Sequence, residues 1–400
     1  MPANAYLAHA KRSPIGSFGG SLKPLRATQT ATQVGKALFA DGGIAPEDVD
    51  LVIGGMVLQD MTESNPARIL ALNLGIPDKV PAYTVNMQCC SSMAALIQAS
   101  QSVALGEADV VLVAGMESMS NAPHMVPGSR WGHRLEHAQF IDTLRECTLA
   151  GSKMWGDPWY MVDVAEHHAK EDGVSRDEMD EYAVVSHTRA LDAMAAGRLD
   201  DEIVAIEVPT RKGGTKRFAA DESPRAEISR ETLAGLAPVQ EGGVITAGNA
   251  APINDGSALA LVCSEAGMAK LGLDPMARIL MPGTALVGCD PHFMGYSCVD
   301  ALNASLARAE MTVDDLDLIE CNEGFAVQLL ACRRMGGWDA ARTNVDGGAV
   351  GLGHPVGMSG LRIAMHLANA LKQRDLKRGG ATVPAGSGLG ASVLLERVGA

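Results

Sequence analysis

Residues 82–104 read AYTVNMQCCSSMAALIQASQSVA. The opening five carry β-branched and aromatic side chains and predict a strand. From Ser91 onward the run is small or apolar at almost every position, which predicts a helix buried nearly all round. Cys89 and Cys90 fall at the turn between the two. A strand feeding a buried helix is a building unit of α/β folds, and the same grammar recurs outward. DLVIGGMV (50–57), DVVLVAG (109–115) and ALALVCS (258–264) are continuous apolar runs bounded by Gly, Asp or Ser, as buried strands are.

Residues 119–245 break the pattern. They are polar, hold three of the four tryptophans, and contain a helix start at SRDE, where Ser175 and Glu178 form a capping box. This stretch reads as a large insertion. The α/β grammar resumes at GVITAGNA (243–250) and runs to the end. A faint repeat links the two parts. Residues 91–115 and 359–386 both pass from small residues through a helix to Gly-x-Ala, a strand and Ala-Gly, as two related α/β halves would. The expected division is 1–118 with 246–268, the insertion 119–245, and 269–400.

The chain has 400 residues, 47% of them apolar and 4% aromatic, with 44 Gly and a net charge of −14. That charge argues against a nucleic-acid or acidic-membrane binder. No run is long enough to span a bilayer, and no cleavable leader is evident, so a cytoplasmic protein is expected. The eight cysteines show no zinc-type spacing and read as reduced thiols, most of them in the core. No metal is expected.

The adjacent pair is different. Backbone N–H groups at a helix start have no internal partner and carry partial positive charge. A thiol there is biased toward the nucleophilic thiolate, and the same N–H groups can hold an oxyanion. Simple packing is the competing reading. A base is available in NVDGGAVGLGHPVGMSG (344–360), whose glycines suit close approach to a ligand and which carries one histidine, His354. His133, His137, His167 and His168 lie in polar stretches and are expected to be solvated. CNEGFAVQ (321–328) places amide and charged groups at a strand end, where α/β sheets put ligand sites.

These residues together resemble a known family. VNMQCCSSMAA (85–95), AGMESMSNAP (114–123), ITAGNAAPINDG (245–256), CNEGFA (321–326), GGAVGLGHPVGMSG (347–360) and PAGSGLG (384–390) stand in the order of the thiolases. With AKRSPIGSFGG (10–20) the resemblance spans the chain. It implies a duplicated α/β fold, two halves with mixed sheets in five α-β-α-β-α layers, plus an inserted loop domain for CoA binding and oligomer contacts. It implies acyl-CoA chemistry of fatty-acid metabolism, with CoA and acyl-CoA as substrates, no permanently bound cofactor, and a homodimer or homotetramer. The nucleophile is the cysteine three places after Asn86, which is Cys89. His354 resembles the histidine that activates it and helps hold the thioester oxygen. Asn322 resembles the asparagine that positions a water in the same oxyanion site. The backbone N–H groups of Cys89 and Gly386 would form a second oxyanion hole.

One departure stands out. Thiolases carry a second cysteine near the C-terminus that exchanges the proton at the substrate's α-carbon. Pro384 holds its place here. Losing a general acid–base group costs about 10²–10⁴ in rate, roughly 3–5 kcal/mol of barrier. Three readings follow. Another group substitutes, with Cys298 the first candidate and Ser387 poorly matched in acidity. Alternatively, the enzyme only transfers acyl groups or condenses by a route such as decarboxylation. Or the chain is a non-catalytic acyl-CoA-binding subunit, against which Cys89 and His354 both count.

For substrate contacts, Arg211, Lys212, Lys216, Arg217 and Arg225 form a basic cluster able to hold phosphates. For the first four, a solvated hairpin turning at Gly213–Gly214 is the competing reading. The resemblance favours Arg225 near the nucleotide and places Thr232, Ala247, Met294 and Phe325 along the pantetheine tunnel. Ala251-Pro252 stands where many members have Ser-Gly. Met161 and Val162 stand where the family has Met-Gly, which implies an altered acyl pocket.

Overall fold

A computed structural model describes residues 3–151 and 158–399. Ten strands form one mixed sheet: β1 (Ala5–Arg12), β2 (Gly16–Ser17), β3 (Leu51–Gly55), β4 (Ala82–Val85), β5 (Val110–Ser118), β6 (Asn254–Cys263), β7 (Ala277–Gly288), β8 (Leu318–Cys321), β9 (Arg378–Ala385) and β10 (Leu389–Glu396). Their order is β8-β9-β10-β7-β1-β6-β5-β3-β4, with β2 on β6. All four runs expected to be buried strands form strands; β3, β5 and β6 are buried, but β4, at the end of the sheet, is only partly covered.

The order contains its own symmetry. On one side β3 runs parallel to β5, which is antiparallel to β6, which is antiparallel to β1. On the other side β8 runs parallel to β9, which is antiparallel to β10, which is antiparallel to β7. The same ladder pattern thus occurs twice. The two copies, each a mixed sheet as expected, join edge to edge where β1 pairs with β7.

Helices fill the layers. α1 (Ala27–Gly42) and α2 (Pro66–Asn73) cover the outer face of the first copy, and one core cluster lies beneath them. α7 (Ser297–Arg308) covers the outer face of the second, over another cluster, with α8 (Ala326–Gly336) packed beside it. Between the copies, α3 (Ser91–Ala104) and α9 (Ser359–Gln373) pack on each other and on strands of both. These helices are the two members of the faint sequence repeat, and their side chains build the largest cluster. Their approach is close: a Cβ on Gly360 would lie 2.7 Å from the Met93 backbone nitrogen. The layering is α-β-α-β-α.

The stretch 119–245 holds α4 (Thr143–Cys147), α5 (Met161–Glu171), α6 (Arg176–Ala195) and a hairpin at 206–218. Ser175 caps α6 through the expected box with Glu178. A buried guanidinium ties this stretch to the sheet: Arg12 on β1 meets Glu202 at 2.6 Å and Asp221 at 2.8 Å. Among the described residues no helix is long and apolar enough to cross a membrane, and no group of three or more potential ligands could hold a metal.

Candidate active site

Both oxygens of the turn's polar side chains serve the backbone between β4 and α3. Asn86 Oδ1 accepts from the Gln88 N–H at 3.1 Å. Ser91 Oγ accepts from the Met87 N–H at 2.9 Å and donates to the Gln88 carbonyl at 2.6 Å. Gln88 itself takes a left-handed φ of 52°, a conformation that costs a non-glycine residue some strain. This tight turn separates the two cysteines. Cys90 is fully buried, and its thiol donates to the Val383 carbonyl at 3.2 Å. Cys89 stays partly exposed and lines a cavity of about 120 Å³.

His354, Asn322 and Gly386 line the same cavity. The His354 N–H donates to Asn254 Oδ1 at 2.9 Å, and its Nδ1 lies 2.7 Å from Ser359 Oγ. Ser359 gives its own proton to the Pro355 carbonyl at 2.9 Å. That leaves the Ser359 oxygen as acceptor, so Nδ1 carries the imidazole proton and Nε2 is the basic nitrogen. Asn322 follows the end of β8, with its N–H on the Thr382 carbonyl at 3.0 Å. Its Oδ1 is buried and has no partner among the described residues, an orphan that water or substrate would satisfy. The backbone N–H groups of Gly386 and Cys89 both act on the Cys89 thiol and favour its charged form.

Electrostatics correct one expectation. Burial pushes the Cys89 thiol up to about 11, against the lowering effect of those two N–H groups, and Glu117 adds to the rise. Cys89 also precedes the helix rather than opening it, since α3 begins at Ser91. The dipole bias toward thiolate is therefore outweighed by desolvation. Burial, with Arg362 second, pulls His354 down to about 4. The resting pair at neutral pH is thiol and neutral imidazole, which makes His354 a base in waiting.

The substitute proton carrier named from sequence does not reach this space. Cys298 lies on α7, fully buried, with its sulfur 3.1 Å from the Gly295 carbonyl and 3.2 Å from the Cys332 sulfur. It does not line the cavity, whereas Pro384 does. Ser387 is exposed and does not line the cavity either, and its N–H donates to the Ala150 carbonyl. A residue that sequence reasoning passed over is present instead: Cys147, at the end of α4, lines the cavity with Cys89. Nothing in TLRECTL marks it, because only the fold brings 147 to 89.

Met161, Ala251, Met294 and Phe325 line the cavity as well. Arg225 and Thr232 line a separate surface pocket with Ile228 and Leu233. Ala247 is exposed and lines neither. Arg211, Lys212, Lys216 and Arg217 are exposed on the hairpin, where Gly213 and Gly214 both have positive φ, so the hairpin-tip reading holds for them. His133 and His137 are exposed, but His168 is buried against Asp172 at 3.0 Å, contrary to the expected solvation.

A duplicated ladder with a half-buried thiol at the mouth of its central helix defines a class, and comparison with known proteins assigns it. Residues 5–266 match the thiolase N-terminal domain and residues 273–397 the thiolase C-terminal domain. The chain belongs to the thiolase family. It is 42% identical to the acetyl-CoA acetyltransferase of Chromobacterium violaceum, over 97% of this chain and 98% of that one. It superposes on the acetyl-CoA acetyltransferase of Bacillus anthracis with a TM-score of 0.95 at 39% identity, over 99% of each chain. Human mitochondrial 3-ketoacyl-CoA thiolase in complex with CoA matches at 0.93 and 37%, over 99% of this chain and 98% of that one.

Proposed function

We propose that this thiolase-family chain is an acyl-CoA C-acyltransferase, cleaving 3-ketoacyl-CoA with CoA or running the reverse condensation through an S-acyl Cys89. The observation that carries this reading is the convergence of Cys89, His354, Asn322 and Gly386 on one cavity. In the first step His354 Nε2 takes the Cys89 proton and the sulfur attacks the 3-keto carbon. The new oxyanion sits against protonated His354 and a water held by Asn322. Its collapse breaks the C–C bond and leaves the acyl group on Cys89. In the second step CoA attacks that thioester, whose oxygen faces the N–H groups of Cys89 and Gly386. Charge develops on oxygen twice, and preorganised donors are worth most there.

CoA is a substrate rather than a resident cofactor. Arg225 would hold its nucleotide end, with Thr232 beside it where the pantetheine begins; Met294, Phe325 and Ala251 would line the rest of the pantetheine path, and Met161 the acyl pocket. The stretch 119–245 is the CoA-binding and oligomer-contact unit between halves 1–118 with 246–268 and 269–400. Trp131 and Leu135, 89% and 100% exposed, and β4, which ends the sheet with an open edge that invites pairing, support a dimer or tetramer. A cytoplasmic location fits its reduced thiols. Pro384 on the cavity wall favours a second reading, acyl transfer without α-proton chemistry. Intact-protein mass after mixing with acetyl-CoA tests the first reading: one acetyl adduct is expected, absent in Cys89→Ala. No adduct on the wild type would leave only a non-catalytic acyl-CoA-binding subunit.

A further inference from the structure

Claisen chemistry at an α-carbon needs a group that gives and takes one proton beside the nucleophile. Pro384 offers none, and Cys298 is sealed under α7. Glu117 is a buried carboxylate whose charge acts on both cavity thiols. Both of its oxygens are engaged, by the N–H groups of Val57, Leu58 and Gly357, and it does not line the cavity. His354 is already committed to Cys89. What remains on the wall is Cys147, which lines the same cavity as Asn322, whose side-chain oxygen is buried with no partner among the described residues.

We infer that Cys147 is the α-carbon acid–base of this enzyme, a thiol delivered by the insertion in place of the one missing at position 384. The inference rests on the S-acyl Cys89 reading. Cys147 closes the short helix α4, which Asp142 caps by accepting from the Leu144 N–H at 2.9 Å. Its thiol donates to the Leu144 carbonyl at 3.0 Å, so it is protonated and tethered weakly enough to turn. Burial, and then the neighbouring Cys89, Glu117 and Asp142, raise it to about 12, which keeps it protonated at rest and makes its thiolate a strong base.

The protons balance. When the C–C bond of the Cys89 adduct breaks, the electron pair goes to the departing acetyl-CoA enolate, which takes the Cys147 proton at carbon. The Cys147 thiolate then takes the proton of incoming CoA–SH. The CoA thiolate attacks acyl-Cys89, and the released Cys89 sulfur recovers its proton from His354. In the reverse direction the CoA thiolate leaving in the acylation step takes the Cys147 proton. The Cys147 thiolate so formed removes a proton from the methyl group of the second acetyl-CoA.

Two readouts on the same samples test this. Wild-type enzyme, Cys147→Ala and Cys147→Ser are incubated with acetyl-CoA in deuterium oxide. Acetylation of Cys89 is read by mass, and deuterium in the acetyl-CoA methyl group by NMR. The expected result is acetylation of all three to the same final extent, reached more slowly in the variants that lack the leaving CoA's proton donor, with methyl exchange on the acetylated variants slowed by about 10²-fold or more. Retained acetylation also shows that the variants are folded. Exchange within threefold of wild type in Cys147→Ala would overturn the assignment, as would a wild type that acetylates without exchanging. A wild type that does not acetylate overturns the S-acyl reading itself, and this inference with it.

Discussion

Two sets of thiols in this chain meet opposite fates. Cys89 and Cys147 come from distant parts of the sequence and open on one cavity. Cys298, Cys321 and Cys332 are fully or almost fully buried together under α7 and α8, where the Gln328 amide reaches all three sulfurs at 3.6–3.8 Å. Burial raises every one of them. A perturbed thiol is therefore not the mark of a functional one here. What separates the sets is a path for a reactant. The adjacent pair makes the point within one peptide bond, since Cys89 faces the cavity and Cys90 the Val383 carbonyl.

The sharpest break of that comparison is Cys89→Ala. Without the nucleophile, thiolysis of 3-ketoacyl-CoA should fall by about 10⁴-fold or more, measured as CoA thiol consumed. Cys90→Ala should stay within about fivefold of wild type, because its sulfur only packs. Equal losses in both would sink the division drawn between Cys89 and Cys90.

Next in size is His354→Asn, with an expected loss of about 10²–10⁴. The pH profile carries more information than the rate. A base must be neutral to act, and burial has lowered His354 to about 4. Its contribution to kcat/KM is thus present at neutral pH and lost only as pH falls through about 4. Cys89, raised to about 11, stays protonated across the neutral range. The wild-type profile should be flat from about pH 6 to 8. An inflection near the ordinary imidazole value of 6.5 that vanishes in His354→Asn would show a solvated histidine and contradict the burial.

A smaller effect separates the two groups of basic residues. Arg225 borders the pocket with Thr232, while Lys212 sits on the exposed hairpin. Arg225→Ala should raise KM for CoA by about tenfold with kcat unchanged, the mark of lost uniform binding. Lys212→Ala should change neither. The reverse pattern would move the nucleotide to the hairpin.

Much of this was legible in the chain. The strand–turn–helix at 82–104 came from composition and burial pattern alone, and Cys89, His354 and Asn322 lay in long family-like motifs. The continuity of the sheet was not legible, because nothing local to β1 says that it pairs on both sides. Nor was the thiol's state. Position near a helix start argues for thiolate, but desolvation is a property of the closed cavity and outweighs it. Cys147 was hidden for the same reason. It lies in a polar insertion beside no motif, and its neighbour is 58 residues away. Cys298 showed the converse failure: it was the first candidate for the missing proton carrier, yet α7 turns it into the core.

The smallest expected effect on activity belongs to Cys298→Ala, and it completes the contrast. Its sulfur touches the Gly295 carbonyl, Cys332 and Gln328, none of which line the cavity. Removing it deletes one buried atom and leaves a small void, at a cost of about 1–2 kcal/mol in unfolding free energy, readable by urea denaturation. Thiolysis and methyl exchange should both stay within about twofold, since no bond from the Cys298 sulfur reaches Cys89, His354 or Asn322; the cluster's tie to Asn322 runs from the Cys321 thiol to its carbonyl at 3.6 Å. A loss of exchange with stability intact would mean that the cluster carries protons to the site by some relay, and the line between open and sealed thiols would have to be redrawn. Lower stability with unchanged turnover is the result that places the two sets of cysteines under different constraints: one held by chemistry, the other by packing.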